Sequence, residues 1–302
     1  MCWGPVVGIQ IREFARILAK GRRRGNASVC KARGRGTISA MNKPQHRARK
    51  RFGQNFLHDT GIINDIVRAI HAQPEEHLVE IGPGQGALTG QLSASGCQLD
   101  VIELDRDLVP GLLAAFSVNP KFNLHSADAL KFDYASLAHN GRPLRVVGNL
   151  PYNISTPLIF KLLENTRIIE DMHFMLQLEV VDRLAAKPGN KDWGRLGIMA
   201  QYHCAVDKLF EVPPEAFDPQ PKVQSAIVRL APWRESPWPS CDTRLLRQVV
   251  QTAFGQRRKT LRNNLKGLID TPRLESLGID PGARAETLEL PQFIEITTAI
   301  HG

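Results

Sequence analysis

Four consecutive residues, Asn149, Leu150, Pro151 and Tyr152, carry groups that suit the handling of a planar amine. The Asn149 side-chain oxygen and the Leu150 carbonyl can each accept one hydrogen of an NH2 group. Pro151 stiffens the segment and offers no competing N–H, while Tyr152 supplies an aromatic face. The N6 amine of adenine is a poor nucleophile because its lone pair is delocalised into the ring, and two acceptors on its hydrogens oppose that delocalisation. We therefore predict that these four residues are catalytic and act on a nucleobase amine.

A base that reaches such a segment must leave its stack, and a flipped base is usually held between aromatic or apolar faces. Phe217 opens the proline-rich segment 217–225, Phe-Asp-Pro-Gln-Pro-Lys-Val-Gln-Ser. We predict that Phe217 is the second face of the base pocket and count it among the catalytic residues. The alternative is an aromatic residue that only closes a proline-rich turn.

A glycine-rich loop follows the first predicted strand, with the sequence Glu80-Ile81-Gly82-Pro83-Gly84-Gln85-Gly86. Glycine allows a tight turn and brings bare backbone against a ligand at the carboxyl edge of a sheet. Gly82 and Gly84 are thus candidate cofactor-binding residues, although glycine-rich turns also occur without ligands.

Two carboxylates strengthen this prediction. Glu103 lies twenty-one residues beyond Gly82, at the tip of the second predicted strand, where a carboxylate can accept hydrogen bonds from both ribose hydroxyls. Asp128 follows the third strand and can accept from the amine of an adenine. Either carboxylate could instead cap a helix. NAD and S-adenosylmethionine share this arrangement, and Asn149–Tyr152 favours the methyl donor over hydride transfer.

The elements that must position these residues alternate along the chain. Strand-like runs at 77–81, 99–104, 122–125, 144–147 and 173–178 alternate with helical segments, which predicts βαβ units and a parallel sheet. Two further runs, 205–212 and 223–230, are joined without a helix and predict an antiparallel hairpin at one edge. The predicted class is α/β, a doubly wound Rossmann-like sheet with an antiparallel edge hairpin and a small C-terminal helical domain.

The pattern becomes helical beyond Pro239, with Leu245, Val249, Val250 and Phe254 on one predicted stripe. We therefore expect a catalytic domain over 41–235 and a small helical domain over 236–302. Residues 1–40 form a basic N-terminal extension, either a transit-type segment or a dispensable tail ahead of Met41. Sparse serine favours the tail, which we expect to be disordered or to result from an upstream start site.

The net charge of +9 is concentrated at the N-terminus. Residues 1–40 contain nine Lys or Arg and the single acid Glu13, so the remaining 262 residues carry only +1. Any basic surface for nucleic acid must be local, and the clusters at 43–51 and 257–266 qualify, with plain solvated charge as the alternative. No apolar stretch of about 18 residues is present.

Five scattered cysteines without a C-x-x-C pair, and histidines without ligand spacing, argue against a disulfide framework and a zinc site. We predict no metal, a reducing compartment and a cytoplasmic location.

Several ordered motifs together resemble the ribosomal RNA adenine dimethyltransferase family. They are Gly53-Gln54-Asn55-Phe56-Leu57, the 80–86 loop, Asn149–Tyr152 with Ser155-Thr156-Pro157, the 217–225 segment, and the 253–264 segment Ala-Phe-Gly-Gln-Arg-Arg-Lys-Thr-Leu-Arg-Asn-Asn. The resemblance covers about residues 42–300 and is strongest to the small-subunit branch. It implies dimethylation of two adjacent adenosines in a hairpin loop near the 3′ end of 16S rRNA, within the small ribosomal subunit and by a monomer.

The resemblance also implies roles for individual residues. Contacts to S-adenosyl-L-methionine would come from Asn55, Leu57, Gly82, Glu103, Asp128 and Asn149. RNA phosphates would be bound by Arg47, Arg49, Lys50, Arg51, Arg257, Arg258, Lys259 and Arg262. The alternatives are a large-subunit methyltransferase of the antibiotic-resistance type, an organellar relative that doubles as a transcription factor, an NAD-dependent oxidoreductase, and a ribosome-assembly checkpoint.

Overall fold

A seven-stranded mixed sheet forms the frame of the protein in the computed structural model, which describes residues 54–138 and 141–301. The predictions for residues 1–40 and for Arg47, Arg49, Lys50 and Arg51 lie outside this range. In chain order the strands are β1 (Phe56–Leu57), β2 (His77–Ile81), β3 (Gln98–Glu103), β4 (Phe122–Ser126), β5 (Leu144–Asn149), β6 (Ile169–Gln177), β7 (Cys204–Val212), β8 (Phe217–Asp218) and β9 (Ser225–Pro232).

The large sheet has the strand order β4-β3-β2-β5-β6-β9-β7. Strands β2 to β6 pair parallel with one another, whereas β9 pairs antiparallel with both β6 and β7. The order runs outward in both directions from β2, so the carboxyl ends of β2 and β5 meet at the switch point of the sheet, where such folds bind ligands. The predicted α/β class and its antiparallel edge are confirmed.

Helices occupy the connections, as the alternating sequence pattern predicts. They are α1 (Thr60–Ile70), α2 (Thr89–Ala94), α3 (Val109–Phe116), α4 (Ser155–Leu163), α5 (Leu178–Ala185), α6 (Arg195–His203), α7 (Thr243–Ala253), α8 (Leu261–Asn264), α9 (Thr271–Ser276) and α10 (Leu290–His301). Helix α1 begins where the Asp59 carboxylate accepts from the N–H groups of Gly61 and Ile62. No helix within the described part of the chain is long and apolar enough to cross a bilayer.

The inner parallel strands β2, β3, β5 and β6 are buried on both faces because helices cover both sides. Successive residues of β2 alternate between two clusters of buried side chains, with Val79 in one cluster and Leu78 in the other. Burial on both faces gives these strands their nearly continuous apolar sequences. The strands are therefore rigid supports for the residues that follow their carboxyl ends.

A third cluster of buried side chains is formed mainly by α7 to α10. It also includes Trp193, Ile198 and Met199, which precede position 236 in sequence. The predicted stripe of α7 is partly wrong, because Leu246 and Ala253 are fully buried whereas Leu245 and Phe254 are only partly so. The helix packs against both α6 and α10, so its buried face is rotated from the predicted one. The division into domains at 235/236 stays a prediction.

Charged side chains near the amino ends of the strands are paired. Arg145 at the start of β5 donates to both carboxylate oxygens of Asp171 on β6, at 2.8 and 3.0 Å, and to Glu76 at 2.7 Å. Its Nη2 atom, one of the two that donate to Asp171, also donates to the Ile70 carbonyl at the end of α1. Arg229 on β9 approaches Asp171 at 3.4 Å. Burial lowers the pKa of neighbouring His173 to about 4, so this imidazole is neutral at pH 7.

A second buried carboxylate, Asp100 on β3, lies 2.6 Å from the Nε2 atoms of both His77 and His125. Burial alone would raise its pKa, but the two histidine hydrogen bonds more than offset this effect and lower the pKa below its ordinary value. Asp100 is thus paired within the protein.

Candidate active site

A concave pocket lies at the carboxyl ends of β2, β3 and β5, next to the loop that follows β4. It encloses about 300 Å³, within the range of small-molecule sites. The predicted site residues that line it are Asn55, Leu57, Gly82, Gly84, Glu103, Asp128, Asn149, Leu150, Pro151 and Tyr152. The structure therefore brings together residues that are up to about one hundred positions apart in sequence.

The glycine-rich loop forms one wall of this pocket. Gly82 and Gly84 have φ angles of 65° and 59°, in the left-handed region that favours glycine. A side chain at Gly84 would also lie only 3.1 Å from the ring of Phe56. The Gly82 N–H donates to the Ile102 carbonyl at 2.9 Å, which anchors the loop to β3. The loop is thus fixed in a shape that other residue types could not adopt without strain.

Glu103 ends β3 with its carboxylate at the pocket. One oxygen accepts from the Asp105 N–H at 2.7 Å and the other from the Gly84 N–H at 3.3 Å. Each oxygen retains a lone pair, so the carboxylate can still accept from ligand hydroxyls. Burial raises the pKa of Glu103 above its ordinary value. Asp128 also lines the pocket and accepts from the Leu130 N–H at 2.9 Å.

The segment 54–57, which we call the strap, covers the other side of the pocket. Its strand β1 pairs antiparallel with β8, and the partners are Phe56 with Asp218 and Leu57 with Phe217. The Gln54 side chain donates to Asp105 at 3.0 Å. The strap therefore ties two distant parts of the chain across the site.

Asn149 ends β5 beside the strap. Its side-chain NH2 group donates to the backbone carbonyl of Asn55 at 3.2 Å, which leaves its oxygen available as an acceptor. The preceding residue must be glycine, because a Cβ at Gly148 would lie 2.5 Å from the Ile81 carbonyl oxygen. Leu150 is buried, and its N–H donates to the Met175 carbonyl at 3.2 Å. Two acceptors thus lie at the carboxyl end of β5, and both belong to residues that donate to backbone carbonyls.

Tyr152 lines the pocket and is half-buried. Its hydroxyl lies 2.9 Å from the hydroxyl of Ser225 on β9, and burial raises its pKa. An aromatic ring held at its far end offers an apolar face at a fixed place in the pocket.

Sequence reasoning missed Glu80 as a functional candidate. This residue of β2 lines the pocket and is 1% exposed, and its Oε2 atom has no hydrogen-bond partner among the described residues. The Thr89 hydroxyl is also buried, and its interaction with Glu80 offsets part of the effect of burial on that carboxyl. Burial raises the pKa of Glu80 to about 7. A carboxyl left unpaired in this way suits a cationic ligand group, and the only sequence signal was its position before the glycines.

The structure does not bring Phe217 to the pocket. It is 2% exposed and packs in the core cluster that contains Leu57, and it is not among the described residues that line the cavity. Its predicted role as the second base face is therefore not supported. The Phe217 backbone pairs with Leu57 of β1, and its side chain is buried in the core.

The basic side chains that follow α7 are exposed and do not line the pocket; they belong to Arg257, Arg258, Lys259 and Arg262. Arg257 donates to the Lys191 carbonyl and lies 3.8 Å from Glu286. Arg258, Lys259 and Arg262 are exposed and make no ion pair with any of the described residues. They remain available to an external anion.

Comparison with known proteins shows the family of the chain. The model of the family "Ribosomal RNA adenine dimethylase" matches residues 45–301. A Pseudomonas aeruginosa protein named "Ribosomal RNA small subunit methyltransferase A" is 62% identical over 256 residues, which cover 85% of this chain and 96% of the relative. The protein of that name from Saccharophagus degradans is 59% identical over 255 residues, covering 84% and 95% of the two chains.

Two solved structures share the fold. A dimethyladenosine transferase from Plasmodium falciparum superposes with a TM-score of 0.69 at 24% identity, covering 80% of this chain and 95% of that one. The 23S rRNA methyltransferase ErmE superposes with a TM-score of 0.65 at 25% identity, covering 82% and 100%. The family match spans both the pocket and the C-terminal helices, and the chain therefore belongs to the ribosomal RNA adenine dimethylase family.

Proposed function

We propose that this protein transfers methyl groups from S-adenosyl-L-methionine to the N6 amines of two adjacent adenosines near the 3′ end of 16S rRNA, in the small ribosomal subunit. The observation that carries the proposal is the meeting of Asn149, Leu150 and Tyr152 with the glycine-rich loop in one pocket. The high identity to relatives named for the small subunit supports the choice of RNA.

The donor groups of the pocket fit S-adenosyl-L-methionine. Its ammonium would be held by Glu80, whose buried carboxylate oxygen lacks a partner among the described residues. Its ribose hydroxyls would be held by Glu103 and its adenine amine by Asp128. Asn55, Leu57, Gly82 and Gly84 would contact it through the strap and the loop.

The residues after β5 would orient the substrate amine. Asn149 Oδ1 and the Leu150 carbonyl accept the two N6 hydrogens, and Tyr152 supports the base plane, so that the nitrogen lone pair turns away from the ring system. When bound, S-adenosyl-L-methionine supplies an electrophilic methyl carbon: an N–C bond forms, the C–S bond breaks with its electrons passing to sulfur, and N6 releases a proton to water. Since N6 becomes acidic as it is alkylated, positioning matters more than a strong base.

The basic residues would bind the RNA backbone. Arg257, Arg258, Lys259 and Arg262 are exposed, and three of them lack acidic partners in the described part of the chain. The other basic cluster of the sequence would share this role, through Arg47, Arg49, Lys50 and Arg51. The proposal comprises a catalytic domain over 41–235 and a C-terminal RNA-binding domain over 236–302, acting as a cytoplasmic monomer.

The first experiment is methyl transfer from labelled S-adenosyl-L-methionine to small ribosomal subunits that lack the modification. We expect N6,N6-dimethyladenosine at two adjacent positions of 16S rRNA, identified by mass spectrometry of the digested RNA. Label in large-subunit rRNA alone would favour the resistance-type function, a second candidate that the structural similarity to ErmE keeps open. No transfer to any RNA would overturn the proposal.

Replacing Asn149 with alanine tests the assigned chemistry in the same assay. We expect the transfer rate to fall by at least about 10²-fold, because the amine loses one of two acceptors and its orientation. Binding to the subunit should be unchanged. Asn123→Ala, at an exposed position of β4, is the matched control. A loss of subunit binding as large as the loss of activity would contradict a chemical role for Asn149.

A further inference from the structure

Ser225 is a buried polar residue that the proposed chemistry does not use. It begins β9 and is fully buried. It pairs with Gln177 of β6 and Val212 of β7, so three strands hold it in place. The preceding carbonyl, of Gln224, accepts from the Leu178 N–H at 2.9 Å. A hydroxyl at such a site is costly unless it is hydrogen-bonded, so its partner indicates what the position is for.

That partner is the hydroxyl of Tyr152, 2.9 Å away. Tyr152 is also held at its backbone, because the Ser155 hydroxyl donates to its carbonyl at 3.1 Å. The residue is thus fixed at both ends, by the start of α4 and by β9. Packing alone would be served by phenylalanine, which needs no buried partner. The paired hydroxyls therefore add a fixed position for the far end of the ring.

The two methyl transfers place different demands on the pocket. Unmodified adenine has two N6 hydrogens, which match the Asn149 side-chain oxygen and the Leu150 carbonyl. After the first transfer only one hydrogen remains, so one of the two acceptors loses its partner. The orientation of the monomethylated base then depends more on contact with the Tyr152 ring.

We propose that Ser225 is a positioning residue that holds the Tyr152 ring in place beside the base and thereby supports the second methyl transfer more than the first. This inference rests on the proposed function. It also gives a reason for the serine at the end of the 217–225 segment.

The test compares full-length Ser225→Ala and Tyr152→Phe with the unaltered protein on small subunits that lack the modification. The amounts of N6-methyladenosine and N6,N6-dimethyladenosine are followed with time by mass spectrometry. We expect the second transfer to slow by about fivefold, the factor that corresponds to one ordinary hydrogen bond. The first transfer should slow less, so that the monomethylated nucleoside accumulates. The double variant should behave like either single variant, since both substitutions remove the same bond.

Thr297→Val is the matched control, because it removes another fully buried hydroxyl, which donates to the Phe293 carbonyl at 2.7 Å in α10. It should lower stability but leave the product ratio unchanged. An unchanged product ratio in both site variants, or additive effects in the double variant, would overturn the inference. If Ser225→Ala does not fold, Tyr152→Phe decides alone, since it leaves β9 untouched. Failure of the proposed function would show itself differently, as absence of dimethyladenosine with the unaltered protein.

Discussion

Buried charged side chains differ in their hydrogen-bond partners between the two ends of the parallel strands. Near the amino ends, Arg145 with Asp171, and Asp100 with two histidines, are paired within the protein. At the carboxyl ends Glu80 is equally buried, yet one of its carboxylate oxygens has no partner among the described residues. The comparison indicates that one end contributes to stability, whereas the other keeps its hydrogen-bonding capacity for ligands at some cost to stability.

The largest expected effect is at the paired end. Arg145→Ala should lower the free energy of unfolding by about 3 to 5 kcal/mol, because it leaves the buried carboxylate of Asp171 without its main partner. Urea denaturation measures this change. Arg229→Ala is the control: its side chain is 40% exposed and lies farther from Asp171, so a loss of about 1 kcal/mol or less is expected. Equal losses in both variants would mean that Arg145 has no special role.

Two carboxyl groups on neighbouring strands provide the next test. The pKa of Glu80 is raised to about 7, so its contribution to stability is present at low pH and is lost as pH rises through about 7. Glu80→Gln should therefore become more stable than the unaltered protein between pH 5 and 8, on the order of 1 to 3 kcal/mol without ligand.

Asp100→Asn should have the opposite effect. The pKa of Asp100 is lowered, so its contribution is present above its unfolded value of 3.8 and is lost as pH falls through the folded value. At neutral pH the variant should lose about 1 to 3 kcal/mol. Thermal unfolding of both variants across pH 4 to 8 measures these two changes in stability. Changes of the same sign would contradict the proposed difference between the two ends of the strands.

The smallest expected effect concerns ligand affinity. Since an ionised Glu80 would pair with the ammonium of the cofactor, affinity for S-adenosylhomocysteine should rise about tenfold as pH increases from 6 to 8. Methylthioadenosine lacks the ammonium and should show no such rise. Glu80→Gln should flatten the profile for S-adenosylhomocysteine. Isothermal titration calorimetry measures the affinity in all three cases. A flat profile for the unaltered protein would mean that Glu80 does not pair with the ammonium.

The sheet and most of the pocket could be predicted because their signals are local. The core of each strand is an apolar run, and the glycine-rich loop needs glycine at specific backbone angles. Glu103 and Asn149 could be placed because each ends such a run. The match between predicted and observed strands is within a few residues at each end.

The features that could not be predicted depend on contacts between residues that are distant in sequence. The pairing of β1 with β8 joins two strands of two residues each, which are too short to show any periodicity. That pairing also explains why Phe217 packs beside Leu57 rather than in the pocket. The raised pKa of Glu80 and the Tyr152–Ser225 bond likewise arise from burial and contacts between separate elements, which a single sequence does not display.

The contact between Asn149 and the strap has a consequence for genetics. The acceptor is the backbone carbonyl of Asn55, so the side chain at position 55 does not form this bond. A scan that replaces each residue in turn would leave the bond in place and would underestimate what the strap contributes to the position of the Asn149 amide. Deletion or insertion of a residue next to position 55 would displace the carbonyl, so the strap should tolerate changes in composition better than changes in length.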